Sequence, residues 1–559
     1  MTRDAGSSAS AVTGTAPPAG GRFVVGNSWD ALDGVWPELP PLVSVIVVHY
    51  RQQAELDRTL AALARQSYPA DRLEVVVVDD GSPTAPTVPD GVRLIVQEDR
   101  GFRLSAARNV GVAASTGSVL CFVDADTSPE PDYVLRLTRL PALAPEAVTV
   151  GQRKHADFAG VLGGGGGGGR GGVGGVGEPV PVPVSQPVEV AGPAHELEQP
   201  RWLQQAYGWS ADLLNADDRS YRHLIGAVTC CTRWFFDEVG GFDESFTSYG
   251  GEDWEWAHRA WLAGAVFAHV PGAVAWHDGP DWAGRGAGSG SAGAGSAGAA
   301  GAPSEAERTA REAEEARRQA EKNGETLRLA DLIAVRGSRG FGVRSRAVDV
   351  CVELVAAASP TSAASPTSAA SPTSAASPTS AGSPTSAGSP ISAGAAFVAV
   401  DSVRASVPDV TVVVPDEVAA VFEADGRVFG RSTDAAAAAL AGARVVVTVD
   451  GPVRVLPPVD AGGSDDARAR AAAAAVGLGD DVARDLRSAT DAVGVGSLGT
   501  IELLGPSGRV LVTVESRRAR LRARRWGAGV AFVSHRASVD WLTPVVGEPS
   551  VAAYLGGWG

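Results

Sequence analysis

The sequence predicts an α/β protein, with a mostly parallel sheet in residues 41–282 and a second α/β region in residues 341–559. Three observations predict it. Residues 43–48 and 73–78 are nearly unbroken β-branched or apolar runs, the pattern of strands buried on both faces. Between them Leu56, Leu60, Leu63 and Ala64 form one helical stripe, which makes a strand–helix–strand unit with a right-handed crossover. Each run then ends in polar residues: His49-Tyr50-Arg51, Asp79-Asp80, and Asp124 with Asp126. In open α/β sheets that edge binds ligands.

The remaining elements follow in order. A strand is expected at 92–97, a small-residue helix with Arg108 and Asn109 at 104–115, and a strand at 119–123. Residues 163–177 are mostly glycine and read as a disordered insertion. Order is expected again at 202–214 and 224–232, then in a glycine-closed helix from Arg233 and a helix opened by Glu252 and Asp253. A strand at 266–270, followed by Val274-Ala275-Trp276-His277, completes the region. Residues 283–340 read as a Gly/Ala/Ser linker and a charged, solvated helix.

Bulk properties narrow the function. A chain of 559 residues exceeds one ordinary core, and residues 1–40 read as a flexible leader without the apolar segment of a signal peptide. The net charge of −16 opposes a general nucleic-acid or anionic-lipid binder. No apolar run approaches the roughly 20 residues that span a bilayer. Cys121, Cys230, Cys231 and Cys351 lack metal-site spacing and read as buried thiols of a reducing, cytoplasmic compartment.

Asp124-Ala125-Asp126 carries the chemistry. Carboxylates at i and i+2 of an extended chain point the same way, and Mg²⁺ is usually held by one or two carboxylates plus substrate phosphates. Glu252 and Asp253 at a helix N-terminus also suit the helix dipole, whatever else they do.

Five segments in order resemble family 2 glycosyltransferases of the GT-A fold. They are Val75-Val76-Val77-Val78-Asp79-Asp80-Gly81-Ser82, residues 101–111 around Arg108, Phe122-Val123-Asp124-Ala125-Asp126, residues 239–246, and Tyr249-Gly250-Gly251-Glu252-Asp253-Trp254-Glu255. The Gly-Gly-Glu-Asp segment is similar to that of galactosyl- and N-acetylgalactosaminyltransferases, including the chondroitin-polymerase type. The resemblance implies a Rossmann-like nucleotide-sugar domain and a UDP-sugar donor. Asp79 and Asp80 would meet uracil and ribose, with Val48, His49 and Tyr50 beneath the base. Arg108 would pair with the diphosphate or donor sugar, its other role being a helix-surface ion pair. Asp124 would face ribose or donor sugar and, with Asp126 and His277, hold Mn²⁺ or Mg²⁺. Asp253 would be the base, with Glu252 and Trp254 on a glycan, lipid-linked or small-molecule acceptor, which would be the protein's link to a membrane surface. A single in-line displacement inverts the anomeric centre. The rivals are a sugar nucleotidyltransferase, disfavoured by the absence of a Gly/Lys-rich phosphate loop, and an inactive sugar-nucleotide-binding scaffold.

In the second region, residues 359–394 hold six copies of Ser-Pro-(Thr/Ile)-Ser-Ala-(Ala/Gly), whose prolines oppose helix. Around that insertion the order repeats: strand 347–355, helix 398–406, strand 410–414, helix 434–442, strand 445–449. Asp416 would match Asp80 and Asp450 would match Asp124, with Pro452 in place of Asp126. The region is expected to be either a degenerate second GT-A copy or an unrelated α/β domain, and the basic segment 517–525 is expected to be a solvated helical face.

Overall fold

The computed structural model describes residues 16–160, 181–248, 250–280, 305–335, 338, 347–356, 390–456, 480–527 and 532–556. The glycine-rich insertion and most of the hexapeptide tract lie outside these residues, as does Tyr249. The chain divides into two compact units. The first is residues 1–346 with 494–497 and 517–532; the second is 347–493, 498–516 and 533–559.

Unit 1 opens as the sequence dictates. Its first elements are β1 (Val43–His49), α1 (Gln53–Leu63), β2 (Leu73–Asp79), β3 (Arg93–Val96), α2 (Leu104–Ala114) and β4 (Val119–Asp124). Every residue of β1 is buried, as a central parallel strand requires. There follow β5 (Thr127–Pro129), α3 (Tyr133–Leu143), β6 (Ala147–Ala156), α4 (Val188–Ala194), α5 (Arg201–Trp209), β7 (Thr229–Thr232), α6 (Arg233–Val239), α7 (Glu252–Leu262), β8 (Val266–Asp278) and α8 (Glu305–Leu332). The eight strands form one sheet in the order β3-β2-β1-β4-β7-β6-β8-β5. Four pairings are parallel; those of β7 with β4 and β6, and of β5 with β8, are antiparallel. The sheet puts Cys121 opposite Cys230, and all four cysteines are buried thiols.

Three expectations for this unit are corrected. The leader is not flexible throughout: Val24 and Leu32 are buried, and Asn27 Nδ2 donates to Leu213 O (2.7 Å) and Phe267 O (3.0 Å). Alternating small and apolar residues hid a segment that packs beside α3 and β8. Nor is α8 a solvated spacer to its end. Leu329 and Leu332 pack on the main core, and Ile333 and Val335 are buried within it.

The third correction is the basic helix Arg517–Trp526, which is not a solvated face. It belongs to unit 1, with Arg518, Arg522 and Arg525 buried. Glu146 accepts from Arg522 Nε (2.7 Å), Arg525 Nη1 (3.0 Å) and Trp526 Nε1 (3.1 Å). Arg518 Nη2 donates to Ala265 O (2.7 Å) and its guanidinium lies over the Trp261 ring, 3.7 Å from the centroid. Gly264 sits at φ +99, where a Cβ would stand 2.6 Å from Arg522 Cγ; only glycine meets both conditions.

Unit 2 consists of β9 (Val350–Val355), α9 (Ala393–Ser406), β10 (Thr411–Val414), β11 (Val428–Gly430), α10 (Asp434–Gly442), β12 (Val445–Asp450), β13 (Val453–Val455), β14 (Leu498–Leu504), β15 (Val510–Ser516), β16 (Val533–Ser538) and β17 (Leu542–Pro544), with short helical segments between. The last hexapeptide copy is not wholly irregular, because Ser392 Oγ accepts from Ala395 N and starts α9 there.

The main sheet of unit 2 runs β11-β10-β9-β12-β15-β14-β16. Strand for strand, this is the order of unit 1 from β3 to β8, and every pairing has the same direction. The β5–β8 pairing recurs as antiparallel β13–β17. Register makes the correspondence residue by residue. Asp124 stands opposite Val48 and Ala125 N donates to Val48 O; Asp450 stands opposite Val355 and Gly451 N donates to Val355 O, both at 2.9 Å. One expected match shifts. Val413 pairs with Glu353 as Val76 pairs with Ile46, which puts Asp416 level with Asp79 instead of Asp80.

Candidate active site

The C-terminal edge of the parallel strands gathers most of the expected residues. Below the edge, His49 and Asp79 are buried and bonded to each other, Nδ1 to Oδ1 at 2.8 Å. Asp79 also accepts from the Ser82 backbone N (3.0 Å) and Oγ (2.6 Å), so it fixes the turn that follows β2. Asp80 is placed differently. Its Oδ2 accepts from Arg103 N (2.9 Å), but Oδ1 is buried without a hydrogen-bond partner among the described residues. Such an acceptor is costly unless a ligand donor satisfies it. Burial pushes its carboxyl above the ordinary value. Val48 is buried nearby and Tyr50 is exposed.

Arg108 lies at the centre, only 2% exposed. Its Nη2 donates to Asp124 Oδ1 and its Nη1 to Glu252 Oε1, both at 3.1 Å. It is therefore a buried bridge, neither a helix-surface ion pair nor exposed to solvent. Phe242 lies under the guanidinium at 5.3 Å. Asn109 fastens α2 to the same region, donating to Phe242 O (2.9 Å) and accepting from Phe242 N (3.0 Å).

Asp126 points to the other side. His277 Nε2 stands 3.5 Å from its Oδ2, and Gln52 Nε2 donates to that oxygen at 3.3 Å. Gly279 O lies 3.2 Å from His277 Nδ1. A proton on Nδ1 would bond that carbonyl and turn the Nε2 lone pair toward Asp126, the orientation a metal-ligating imidazole takes. Asp124, Asp126 and His277 offer carboxylate oxygens and one imidazole nitrogen, donor types that Mn²⁺ accepts, but among the described residues no three His, Cys, Asp or Glu side chains stand gathered as a metal site.

Glu252 and Asp253 start α7, after Gly251 at φ +100. Asp253 Oδ2 accepts from Gly226 N (3.1 Å) and Oδ1 from Trp254 N (2.8 Å). Each oxygen keeps a second lone pair for an outside proton. Burial raises both carboxyls. Glu252 moves from its ordinary 4.5 to about 7, pushed first by burial and then by Asp253, and held down by Arg108. Its Oε2 is buried and has no hydrogen-bond partner among the described residues.

This shift has a sign that can be tested. The folded protein binds a proton at Glu252 more tightly than the unfolded chain, so folding stability falls as pH rises from about 4.5 to about 7. Glu252→Gln should remove that slope, matching wild type below the window and gaining relative to it above. Urea midpoints at pH 4.5, 6 and 8 would check this, and parallel curves would show that Glu252 titrates normally.

Sequence reading missed three residues here. His155 faces His277 across the β6–β8 register, ring centroids 4.9 Å apart. Asp278 accepts from Phe158 N (2.9 Å), and burial lifts its carboxyl to about 6. Gln52, before α1, reaches Asp126. The tryptophans also separate: Trp256 is buried against Phe236 and Phe242, while Trp254 is only partly buried.

In unit 2 the same edge differs. Pro452 follows Asp450 and Gly451 where unit 1 has Asp126, and Arg509 Nη2 donates to Asp450 Oδ2 at 2.6 Å. Arg431 Nη2 similarly bonds Glu353 at 2.5 Å.

Comparison with known proteins agrees with this geometry. The profile described as Glycosyl transferase family 2 matches residues 44–162, and that described as the N-terminal domain of galactosyltransferase matches residues 215–275. Chondroitin synthase of Escherichia coli is 28% identical over 248 residues, covering 43% of this chain and 35% of that protein. Validoxylamine A glucosyltransferase of Streptomyces hygroscopicus subsp. limoneus is 30% identical over 237 residues, covering 39% of this chain and 48% of the other. The chain thus spans half or less of these relatives. Among solved structures, a mannosyltransferase from Pyrobaculum calidifontis in complex with GDP-Man and Mn²⁺ aligns with TM-score 0.31 and 20% identity, over 45% of this chain and 62% of that one. The α/β fold of unit 1 is of the GT-A type, and within it residues 44–162 are similar to glycosyl transferase family 2.

Proposed function

We propose that unit 1 is a metal-dependent, inverting glycosyltransferase that moves a sugar from a UDP-sugar to a hydroxyl of a glycan, lipid-linked or small-molecule acceptor. The observation that carries this reading is the Arg108 bridge. It joins the strand-end pair Asp124/Asp126 to the helix-start pair Glu252/Asp253 in one site.

In this reading Asp80 Oδ1 accepts a hydrogen bond from the donor's base or ribose, above a floor made by Val48, His49 and Asp79. Asp124, Asp126 and His277 would hold Mn²⁺ or Mg²⁺, which when bound supplies positive charge at the departing diphosphate. Arg108 keeps Asp124 in place and offsets the negative charge of Glu252. Asp253 takes the proton of the acceptor hydroxyl, and Glu252 Oε2 accepts a second acceptor hydroxyl. Attack from the face opposite the leaving group inverts the anomeric carbon.

Calorimetric titration with UDP and with GDP, each with and without Mn²⁺, tests the donor side. Binding of UDP alone, and only with metal, is expected. A preference for GDP would replace the donor, and failure of both would leave a scaffold without turnover. Unit 2 is proposed to be non-catalytic, since Pro452 and the Asp450–Arg509 pair replace the carboxylate pair. Asp450→Asn should accordingly leave turnover unchanged, and a drop of tenfold or more would return catalysis to unit 2.

A further inference from the structure

Gln52 touches Asp126 at one end and the nucleoside side of the site at the other. Its Nε2 donates to Asp126 Oδ2 (3.3 Å), and its backbone N donates to His49 Nε2 (3.1 Å). A backbone N–H can only donate, so His49 Nε2 is an acceptor there. The ring proton sits on Nδ1, which donates to Asp79 Oδ1 (2.8 Å). Asp79, His49, Gln52 and Asp126 thus form one bonded line.

A second tie runs beside it. Arg51 N donates to Ser82 Oγ (2.8 Å), and that hydroxyl donates to Asp79 Oδ1 (2.6 Å). Arg51 stands at φ +59, in the left-handed region that a side chain enters only where its surroundings hold it. Gln53 adds a further tie, accepting from Thr87 N (2.9 Å) and donating to Thr87 O (3.0 Å). The turn between β1 and α1 is therefore fastened to the segment after β2, and it keeps the Arg51 conformation while those bonds last. Asp80, with its unpartnered Oδ1, belongs to that segment, and its backbone N is held by His49 O (2.9 Å).

Asp126 itself is held lightly. Its contacts with Gln52 and with Thr127 Oγ1 are both 3.3 Å, and His277 Nε2 is 3.5 Å away. Asp124, by contrast, is fixed by buried Arg108. Where Asp126 points depends on Gln52.

We propose that Gln52 is a positioning residue for Asp126, and that its tie to His49 makes nucleoside binding and divalent-cation binding mutually favourable. A nucleoside donor on Asp80 Oδ1 steadies the segment after β2. The turn at Arg51 is then held more firmly, and Gln52 keeps Asp126 in place. Linkage makes the effect reciprocal. The inference rests on the donor and metal assignments of the proposed function and adds a route between them that bypasses the diphosphate.

Free Mn²⁺ is measured by electron paramagnetic resonance as the full chain is titrated, with and without saturating uridine. Uridine lacks the phosphates through which nucleotide and cation would touch, so its effect passes through the protein. It should tighten Mn²⁺ binding to wild type by about fivefold or more. In Gln52→Ala that gain should vanish and Mn²⁺ should bind more weakly, while uridine binding without metal stays at the wild-type value. Ser82→Ala cuts the Arg51 tie without reaching Asp126. It should reduce the gain and leave Mn²⁺ affinity without uridine unchanged. A merely structural role for either residue would not single out the uridine effect. The full gain persisting in either variant would overturn the proposal, as would its absence in wild type. Mn²⁺-dependent UDP binding without any uridine effect would sink the coupling and leave the donor reading intact. Failure of both UDP and Mn²⁺ to bind would remove both.

Discussion

Asp253→Asn is expected to lower kcat by about 10²–10⁴-fold, the usual contribution of a positioned general base. That corresponds to about 3–5 kcal/mol of barrier. The amide cannot take the acceptor proton. It also retains only one acceptor oxygen where the carboxylate uses two, toward Gly226 N and Trp254 N. A local loosening of the α7 start is therefore part of the expected result, and a control must separate it from lost chemistry. UDP titration in the presence of Mn²⁺ serves, because Asp253 lies on the acceptor side of the Arg108 bridge. Unchanged nucleotide binding with lost turnover supports the base. Unchanged turnover would pass that role to Glu252, whose carboxyl at about 7 is already near the useful range.

Glu146→Leu has the second large effect. Glu146 is 2% exposed and accepts from two buried guanidiniums and an indole. Arg525 has a further carboxylate, Glu238, at 3.6 Å, whereas among the described residues Arg522 keeps the carbonyls of Gly26 and Val24 and the rings of Phe23 and Phe532. Removing one partner of a buried pair leaves an uncompensated charge, at a cost of about 3–5 kcal/mol. The first unfolding transition in urea should move to lower concentration by a corresponding amount. A transition that stays in place would mean that the carbonyls alone hold the arginines. Glu146→Gln, which keeps one acceptor, should fall between wild type and Leu.

The first half of unit 1 was legible because local pattern and final environment agree there. Strands β1, β2 and β4 are mostly apolar and end in polar residues (His49, Asp79 and Asp124), so both the core run and the functional edge are written in the residues. From Thr127 to Ala156 local pattern gives no clear element. Helix α3 carries Pro141 in its last turn, and β6 passes from buried Ala-Val-Thr-Val through half-buried Gln-Arg-Lys to a buried His155, a pattern without regular alternation. With β6 unseen, His155 could not be placed opposite His277.

The helix Arg517–Trp526 failed for the opposite reason. Its pattern is clear, but arginine is buried only where partners exist, and Glu146 stands far away in sequence. Partners at such distance leave no local trace. The site pairs Asp124/Asp126 and Glu252/Asp253 were legible as motifs, whereas the bridge between them was not. Arg108 reads equally well as a surface residue until the fold sets Glu252 beside it.

The duplicated sheet gives that basic helix a further meaning. It begins at Arg517, directly after Ser516, which pairs with Val445 as Thr232 pairs with Val119; Arg233 opens α6 at the matching place. Where the first copy continues into the segment that bears Glu252 and Asp253, the second lends its chain to the first. Time enters here. A ribosome adding about 5–20 residues per second needs roughly 10–40 s to travel from Arg346 to Trp526. For that interval Glu146 lacks its arginine partners, and the unit whose synthesis starts first is completed only after most of the second has been made. A chain ending at residue 346 would leave Glu146 buried without these arginines, so it is expected to be less stable than the full chain.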